Sequence, residues 1–251
     1  MRSYFYLLPF FATTPVFAQP APSIAPAKPQ IQIDAKAVEL LDKTAKYYGS
    51  LRSLKIVTRG SSTWEGETLP INLTLFFERP NRVRAQGEAD GTKSVVVADG
   101  KTLFLWDDLV DNPVKRAQND RYTEPWRNLM GTADYFVADY FSDWLFGQHW
   151  LRPLQTQKVE INIDVFEAKV LPSRLINGAP AEGVQLQATR NARGKEPKFL
   201  TLRILWFRPD GRLVRAEQIN DFGAKVKRKT VDVVAARTNL ALPSSTWALK
   251  K

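Results

Sequence analysis

Apolar side chains recur at every second position in several stretches of this chain, and this alternation restricts its fold more than any other feature. The clearest runs, with polar residues at most of the positions between, are Leu73–Phe77, Val159–Val165, Val184–Ala188 and Leu200–Trp206. Successive side chains of a strand point to opposite faces, so period two indicates half-buried antiparallel strands. We count about ten or eleven strands. The pattern predicts a mainly β protein with some helix, in which a strongly curved antiparallel sheet forms an incomplete, half-open β-barrel.

Short sequences typical of turns separate these runs. Pro80, in Arg79-Pro80-Asn81, has a fixed φ and no amide hydrogen, which ends the run at Phe77. Asp99-Gly100 is expected to supply two residues with positive φ for a tight hairpin between Val95–Val97 and Leu103–Trp106. The later turn sequences are Asn177-Gly178, Pro209-Asp210-Gly211 and Asp221-Phe222-Gly223.

The first residues have the composition of a cleavable signal peptide. Arg2 precedes a mostly aromatic and aliphatic run that is too short to span a bilayer and that ends before Ala18. We expect a signal peptide over residues 1–18, a Pro/Ala-rich flexible tether over 19–33 and a single β domain over 34–251. The chain has no cysteine, which excludes a lipid anchor, disulfides and thiolate chemistry. The predicted location is the periplasm, as a soluble protein without a lipid anchor.

The chain is strongly basic. Its formal net charge of +10 falls to +9 when Arg2 is removed with the signal peptide. This charge favours anionic partners such as phospholipid headgroups or acidic proteins, while nucleic acid is not an expected partner outside the cytoplasm. Lys225, Lys227 and Lys229 have the spacing of one strand face, which we interpret as a solvated face or a protected sheet edge.

Two segments break the β pattern with helical spacing. The first begins at Asp34, a residue suited to capping, and ends near Gly49 after apolar residues at helical intervals. The second, over residues 133–146, has an unusually aromatic face that includes Tyr140, Phe141 and Trp144. A helix this apolar must cover an apolar surface, either as a lid over a cavity or as a fixed plug of the core. The sequence leaves both alternatives open.

The residues needed for common enzyme chemistry are scarce. A Gly-x-Ser-x-Gly motif and phosphate-binding glycine loops are absent, and His149 is the only histidine. Carboxylates occur in pairs at Glu65/Glu67 and Asp107/Asp108, in contexts typical of exposed turns. We therefore predict neither an enzyme nor a bound metal or cofactor, and interpret His149 as a loop or helix-end residue.

The order of the turn motifs resembles the lipoprotein-carrier superfamily of the Gram-negative periplasm, which includes LolA, LolB and RseB. The resemblance rests on Leu75–Asn81 and Ser94–Leu103, and Leu202–Gly211 is similar to a late hairpin of the family. It implies a half-open barrel over an apolar cavity, in a divergent branch of the superfamily. In that family the arginine that matches Arg79 donates hydrogen bonds to backbone carbonyls of a lid and keeps the empty carrier closed. An arginine with its guanidinium in water is the alternative.

The resemblance also implies a binding site between the concave sheet and the aromatic helix. Its expected residues are Leu73, Leu75, Phe77, Arg79, Val83, Ala85, Trp106, Phe136, Tyr140, Phe141 and Trp144. We expect a monomer whose ligand is a lipid, a lipoprotein or another hydrophobic molecule. A membrane-bound donor or receptor protein is the expected partner for the exchange of this ligand. Val83 and Ala85 are smaller than the family's inward aromatic residues. A regulatory or assembly protein that binds a protein partner therefore stays an alternative, and a hydrolase is a minor one.

Overall fold

The structure is a computed structural model that describes residues 30–117, 140–141, 143–149, 151, 164–191, 198–223 and 225–248. The expected signal peptide, most of the expected tether and Phe136 lie outside these residues. The elements of the described part are β1 (Gln30–Ile33), α1 (Ala35–Gly49), β2 (Ser53–Trp64), β3 (Glu67–Glu78), β4 (Arg82–Ala89), β5 (Thr92–Ala98), β6 (Thr102–Asp107), β7 (Val110–Ala117), β8 (Val165–Ile176), β9 (Ala179–Arg190), β10 (Phe199–Phe207), β11 (Leu213–Asp221), β12 (Val226–Thr238) and a 3-10 helix, η1 (Ser244–Trp247).

The strands of the described ranges form one sheet in the order β1-β8-β9-β10-β11-β12-β2-β3-β4-β5-β6-β7. Neighbours in this sheet are antiparallel except β1 and β8, which are parallel. The predicted mainly β fold is confirmed, with twelve strands rather than ten or eleven. Gln30–Ile33, which we had assigned to the tether, forms β1, because pairing with Val165–Ala168 of a distant strand satisfies its backbone.

The sheet is curved and open. Asp90, in the turn between β4 and β5, accepts hydrogen bonds from Lys227 Nζ at 2.8 Å and Lys229 Nζ at 3.2 Å, both on β12. Strands β2 and β3 separate β12 from β4, a distance of about 14 Å in a flat sheet. The sheet curves toward the face that carries these lysines and shortens this distance. β1 and β7 lie at its two ends and do not pair, so the barrel is incomplete.

Helix α1 begins and ends as predicted. The Asp34 side chain accepts a hydrogen bond from the amide of Lys36 at 2.9 Å, and the helix ends at Gly49. Such a cap satisfies an amide that has no partner within the helix. The buried face packs against the sheet, and the amide of Leu213, at the start of β11, donates to the Tyr48 hydroxyl at 3.1 Å. None of the helices in the described part has the length and apolar character needed to cross a bilayer.

The tight hairpin at Asp99-Gly100 differs from the prediction. Gly100 has a φ of 98°, but Asp99 is not among the residues with positive φ. Instead its carboxylate accepts hydrogen bonds from the amides of Lys101 and Thr102, at 2.8 and 2.7 Å. The side chain stabilises the turn between β5 and β6 as an Asx turn, which needs one glycine only. The Asn177-Gly178 prediction is confirmed, because both residues have positive φ between β8 and β9.

The inner face of the sheet is the face that carries Leu73, Leu75 and Phe77, and the outer face is the opposite one. Most of the large apolar cluster lies between the inner face and α1. Our interpretation of Lys225, Lys227 and Lys229 as a solvated face or sheet edge holds for the exposed Lys225, but it is wrong for Lys229. β12 is an interior strand between β11 and β2, and Lys229 is only 2% exposed. Curvature brings the β4–β5 turn against this part of β12 and buries the side chain.

Candidate binding site under the aromatic segment

Five of the predicted site residues form a continuous apolar surface on the inner face. Cross-strand pairing places Phe77 opposite Val83, and Leu75 opposite Ala85, on β3 and β4. These residues and Leu73 are each at most 2% exposed and belong to one core cluster. Their common orientation follows from alternation along two paired strands.

The aromatic segment, Tyr140–Phe146, packs into the same core cluster as this surface, and its Phe146 ring contacts Phe77; Ser142 lies outside the described residues. Phe141 and Leu145 are fully buried, and Tyr140 and Trp144 are 2% exposed. The Trp144 indole stacks on the Tyr48 ring at 5.7 Å between centroids and packs edge-on against Phe207. The segment therefore joins α1 to β10 and fills the concave side of the sheet.

Arg79 connects the sheet to both α1 and the aromatic segment. Its Nε donates to the Leu51 carbonyl at 2.9 Å, and its Nη2 donates to the carbonyls of Gly49 and Leu145, at 2.7 and 2.5 Å. The guanidinium also lies over the Phe77 ring, with Cζ 5.5 Å from the centroid. A cation near the last carbonyls of a helix interacts favourably with its negative end. Arg79 therefore points inward, as the resemblance leads us to expect, and Leu145 of the aromatic segment supplies one of its acceptors.

A second polar contact fastens the end of the same segment. His149 is 4% exposed, and its Nε2 is 2.7 Å from the Asp42 carboxylate on α1. Burial raises the pKa of the nearby Asp143 carboxyl, and the imidazole of His149 opposes this shift. The sequence interpretation placed His149 correctly near a helix end but missed its partner. Asp42 lies a full 107 positions away, and no local pattern relates the two residues.

Trp106 does not lie with the other predicted site residues. It pairs with Val95 and packs on the outer face against a separate cluster of Val95, Val97 and Phe104. In the apolar run of β6, Leu103 and Leu105 contact the core, so alternation turns Phe104 and Trp106 outward. Trp106 borders an outer-face groove of about 600 Å³ whose lining is mixed polar and apolar.

The two carboxylate pairs, Glu65/Glu67 and Asp107/Asp108, lie at turns between strands. Glu65 lies in the β2–β3 turn, where Lys225 Nζ is 2.6 Å from its carboxylate, and Asp108 lies in the β6–β7 turn. Among the residues that the structure describes, no group of three or more histidine, aspartate and glutamate side chains could hold a metal ion.

Comparison by sequence finds no matching family model and no matching curated protein. Solved structures similar to the chain include a LolA superfamily protein from Nitrosomonas europaea, with 10% identity and a TM-score of 0.33 over 84% of this chain and 97% of that chain. LprF from Mycobacterium bovis is similar with 11% identity and a TM-score of 0.40, over 84% and 96% of the two chains. A chain of the MucA/MucB complex from Pseudomonas aeruginosa is similar with 17% identity and a TM-score of 0.45; the match covers 85% of this chain and 61% of that one. One of these similar structures is described as a member of the LolA superfamily, the superfamily that the turn motifs resemble.

Proposed function

We propose that the protein is a periplasmic binding protein for a lipid or a lipidated, hydrophobic ligand, and that the aromatic segment is its lid. The observation that carries this proposal is the bridge from Arg79 to the Leu145 carbonyl. One arginine holds the apolar segment against an apolar sheet, and its other two acceptors belong to the end of α1 and the residues after it. The described structure then corresponds to the closed position of the lid.

The energetics suit a ligand that replaces the lid. Tyr140, Phe141, Trp144 and Leu145 are buried in the same core cluster as the inner face, so an acyl chain that lies on this face displaces these side chains. Each methylene that becomes buried contributes about 0.8 kcal/mol, and the lost lid contacts oppose binding. A ligand that binds only the open state shifts the population toward it. The Arg79 hydrogen bonds are among these lid contacts, so they add to the free energy that a ligand must supply to open the lid.

The remaining parts of the proposal follow from the sequence. The N-terminal composition supports export, and the absence of cysteine supports a protein without a lipid anchor. We assign no enzymatic activity, because the sequence has no Gly-x-Ser-x-Gly motif and its carboxylate pairs Glu65/Glu67 and Asp107/Asp108 lie at turns between strands. In this proposal the protein acts as a monomer and exchanges its ligand with a membrane-bound donor or receptor protein.

Lipid retention tests the proposal. Protein purified from the periplasm without detergent should carry acyl lipids that native mass spectrometry identifies, and Phe141→Asp should abolish them. Arg79→Ala should increase the amount of bound lipid by favouring the open lid. Arg82→Ala is the matched control, because Arg82 pairs with Glu78 on the exposed surface. Lipid-free protein that instead binds a protein partner, with unchanged affinity after Phe141→Asp, would support the regulatory alternative and overturn the carrier proposal.

A further inference from the structure

A row of polar side chains crosses the inner face at one end of the apolar surface. Arg203, Gln218, Lys229 and Ser62 are direct cross-strand neighbours on β10, β11, β12 and β2. Direct neighbours in register point to the same face. We name these four residues the polar row.

Three residues of the polar row, Ser62, Gln218 and Lys229, are buried, and Arg203 is half-buried. Lys229 is 2% and Gln218 is 5% exposed. Gln218 Oε1 is buried and accepts no hydrogen bond within the described part of the chain. Burial alone would raise the pKa of Asp90, but hydrogen bonding from Lys227 and the charge of Lys229 hold it below its usual value. Buried charged and polar groups are costly, so their concentration at one place on an apolar face calls for a functional explanation.

The polar row borders the apolar surface directly. The next row of side chains on the same face lies two positions further along each strand. It contains Leu205, Ala216 and Val231, which all belong to the core cluster. On β3 the apolar residues continue from Ile71 to Phe77, over a length of about 20 Å. The inner face is therefore amphipathic along the strands. The polar row lies at one end of the apolar surface, and Arg79 lies at the other end.

The lid also reaches the polar row. The Arg203 guanidinium lies over the Tyr140 ring, with Cζ 5.6 Å from the centroid. Opening of the aromatic segment removes Tyr140 from this position and uncovers the guanidinium. This movement makes the apolar surface and the Arg203 end of the polar row accessible together, while Lys229 next to them keeps its contact with Asp90.

We propose that the polar row binds the anionic phosphate headgroup of the ligand while its acyl chains lie along the apolar surface toward Arg79. This inference rests on the proposed function, and it adds the ligand class: a phospholipid with a net negative, hydroxyl-bearing headgroup. Lys229 and Arg203 donate to the phosphate, for which the planar guanidinium is well suited. Gln218 Oε1 accepts a hydrogen bond from a headgroup hydroxyl.

A competition experiment tests this assignment. Delipidated protein is incubated with vesicles that contain equal amounts of dimyristoyl phosphatidylglycerol and dimyristoyl phosphatidylcholine, which share the same acyl chains. The protein is then separated from the vesicles, and mass spectrometry gives the ratio of the two bound lipids. Wild type should favour phosphatidylglycerol about tenfold, and Lys229→Met and Arg203→Met should each bring the ratio near one. Lys55→Met is the matched control, because Lys55 lies on the outer face over Phe76. This substitution removes one positive charge, as the other two do.

The outcomes separate the two proposals. Equal amounts of both lipids on wild type would overturn the headgroup site and leave the lidded acyl site intact. No retained lipid of either kind would overturn both. A ratio that falls equally in Lys55→Met would show attraction by net charge alone and overturn the site. Glycerol 3-phosphate that competes as well as the lipid would show a free-phosphate site instead. If Lys229→Met does not fold, Arg203→Met decides the result, because Arg203 is half-buried and tolerates truncation better.

Discussion

Arg79 Nη2 donates a hydrogen bond to the Leu145 carbonyl at 2.5 Å, and this contact joins the end of β3 to the aromatic segment. The acceptor is a backbone atom, so the contact depends on the path of the segment and not on the identity of residue 145. We expect that loss of the Arg79 side chain frees the aromatic segment from the end of β3.

Arg79→Ala should therefore loosen the aromatic segment without unfolding the sheet. Loss of hydrogen bonds from a charged donor costs about 2 kcal/mol, which raises the open population about 30-fold. Hydrogen exchange at the Leu145 and Gly147 amides, which bond within the segment, should accelerate by this factor. Arg82→Ala should leave these rates unchanged. Equal acceleration throughout the sheet would indicate global destabilisation and contradict a local latch.

Leu75→Ala should destabilise the whole domain. Leu75 has no exposed surface and lies in the centre of the inner face, so truncation leaves a cavity under the aromatic segment. The free energy of unfolding should fall by about 3 kcal/mol, measured by urea denaturation. The same substitution at Leu109, which is 55% exposed, is the control and should change it by less than about 0.5 kcal/mol. A small effect at Leu75 would mean that the inner face is loosely covered.

Stability should fall in acid through Asp90. Although burial opposes ionisation, Lys227 and Lys229 lower the pKa of this carboxyl in the folded protein. A lowered folded-state pKa contributes stability that is complete above the unfolded pKa of about 3.8 and is lost as the pH falls through the folded value. Asp90→Asn should thus be less stable at neutral pH, and its unfolding free energy should vary less with pH below 4. Asp108→Asn, in an exposed turn, is the control for urea titrations at each pH.

His149 and Asp42 should show energetic coupling. Their 2.7 Å contact joins α1 to the end of the aromatic segment, with the imidazole almost fully buried. In a double-mutant cycle of Asp42→Ala and His149→Phe, we expect a coupling energy of about 1–2 kcal/mol in the free energy of unfolding. Effects that add to within about 0.5 kcal/mol would show that the contact contributes little.

Much of the fold could be predicted because its signals are local. Alternation identified the strands around Leu73–Phe77 and Leu200–Trp206, and Asp34 marked the start of α1 through its own capping bond. The inward orientation of Arg79 could be predicted because Arg79 follows Phe77 by two positions, which places both side chains on the same face. The Asp99 turn could be located from sequence, but its mechanism differed, because a side-chain acceptor replaced a second positive φ.

The errors concern residues whose position depends on distant partners. In the continuous apolar run of β6, periodicity could not assign a face, and only pairing with Val95 placed Trp106 outside. β1 resembled a tether because its pairing partner, β8, lies more than 130 positions later in the chain. We interpreted His149 as a loop or helix-end residue and Lys229 as part of a solvated face or sheet edge, and the sequence did not indicate their contacts with α1 and the β4–β5 turn.

The sequence by itself determined that this chain alternates into antiparallel strands, begins its domain with a capped helix and carries an aromatic segment without a β pattern. Those properties follow from the spacing and turn chemistry of neighbouring residues. Only the tertiary structure decided that the aromatic segment closes on the inner face under Arg79, and that a polar row lies at the far end of that face. Strand order and sheet curvature bring together residues far apart in the chain, and burial then changes the energetic role of charges such as Lys229.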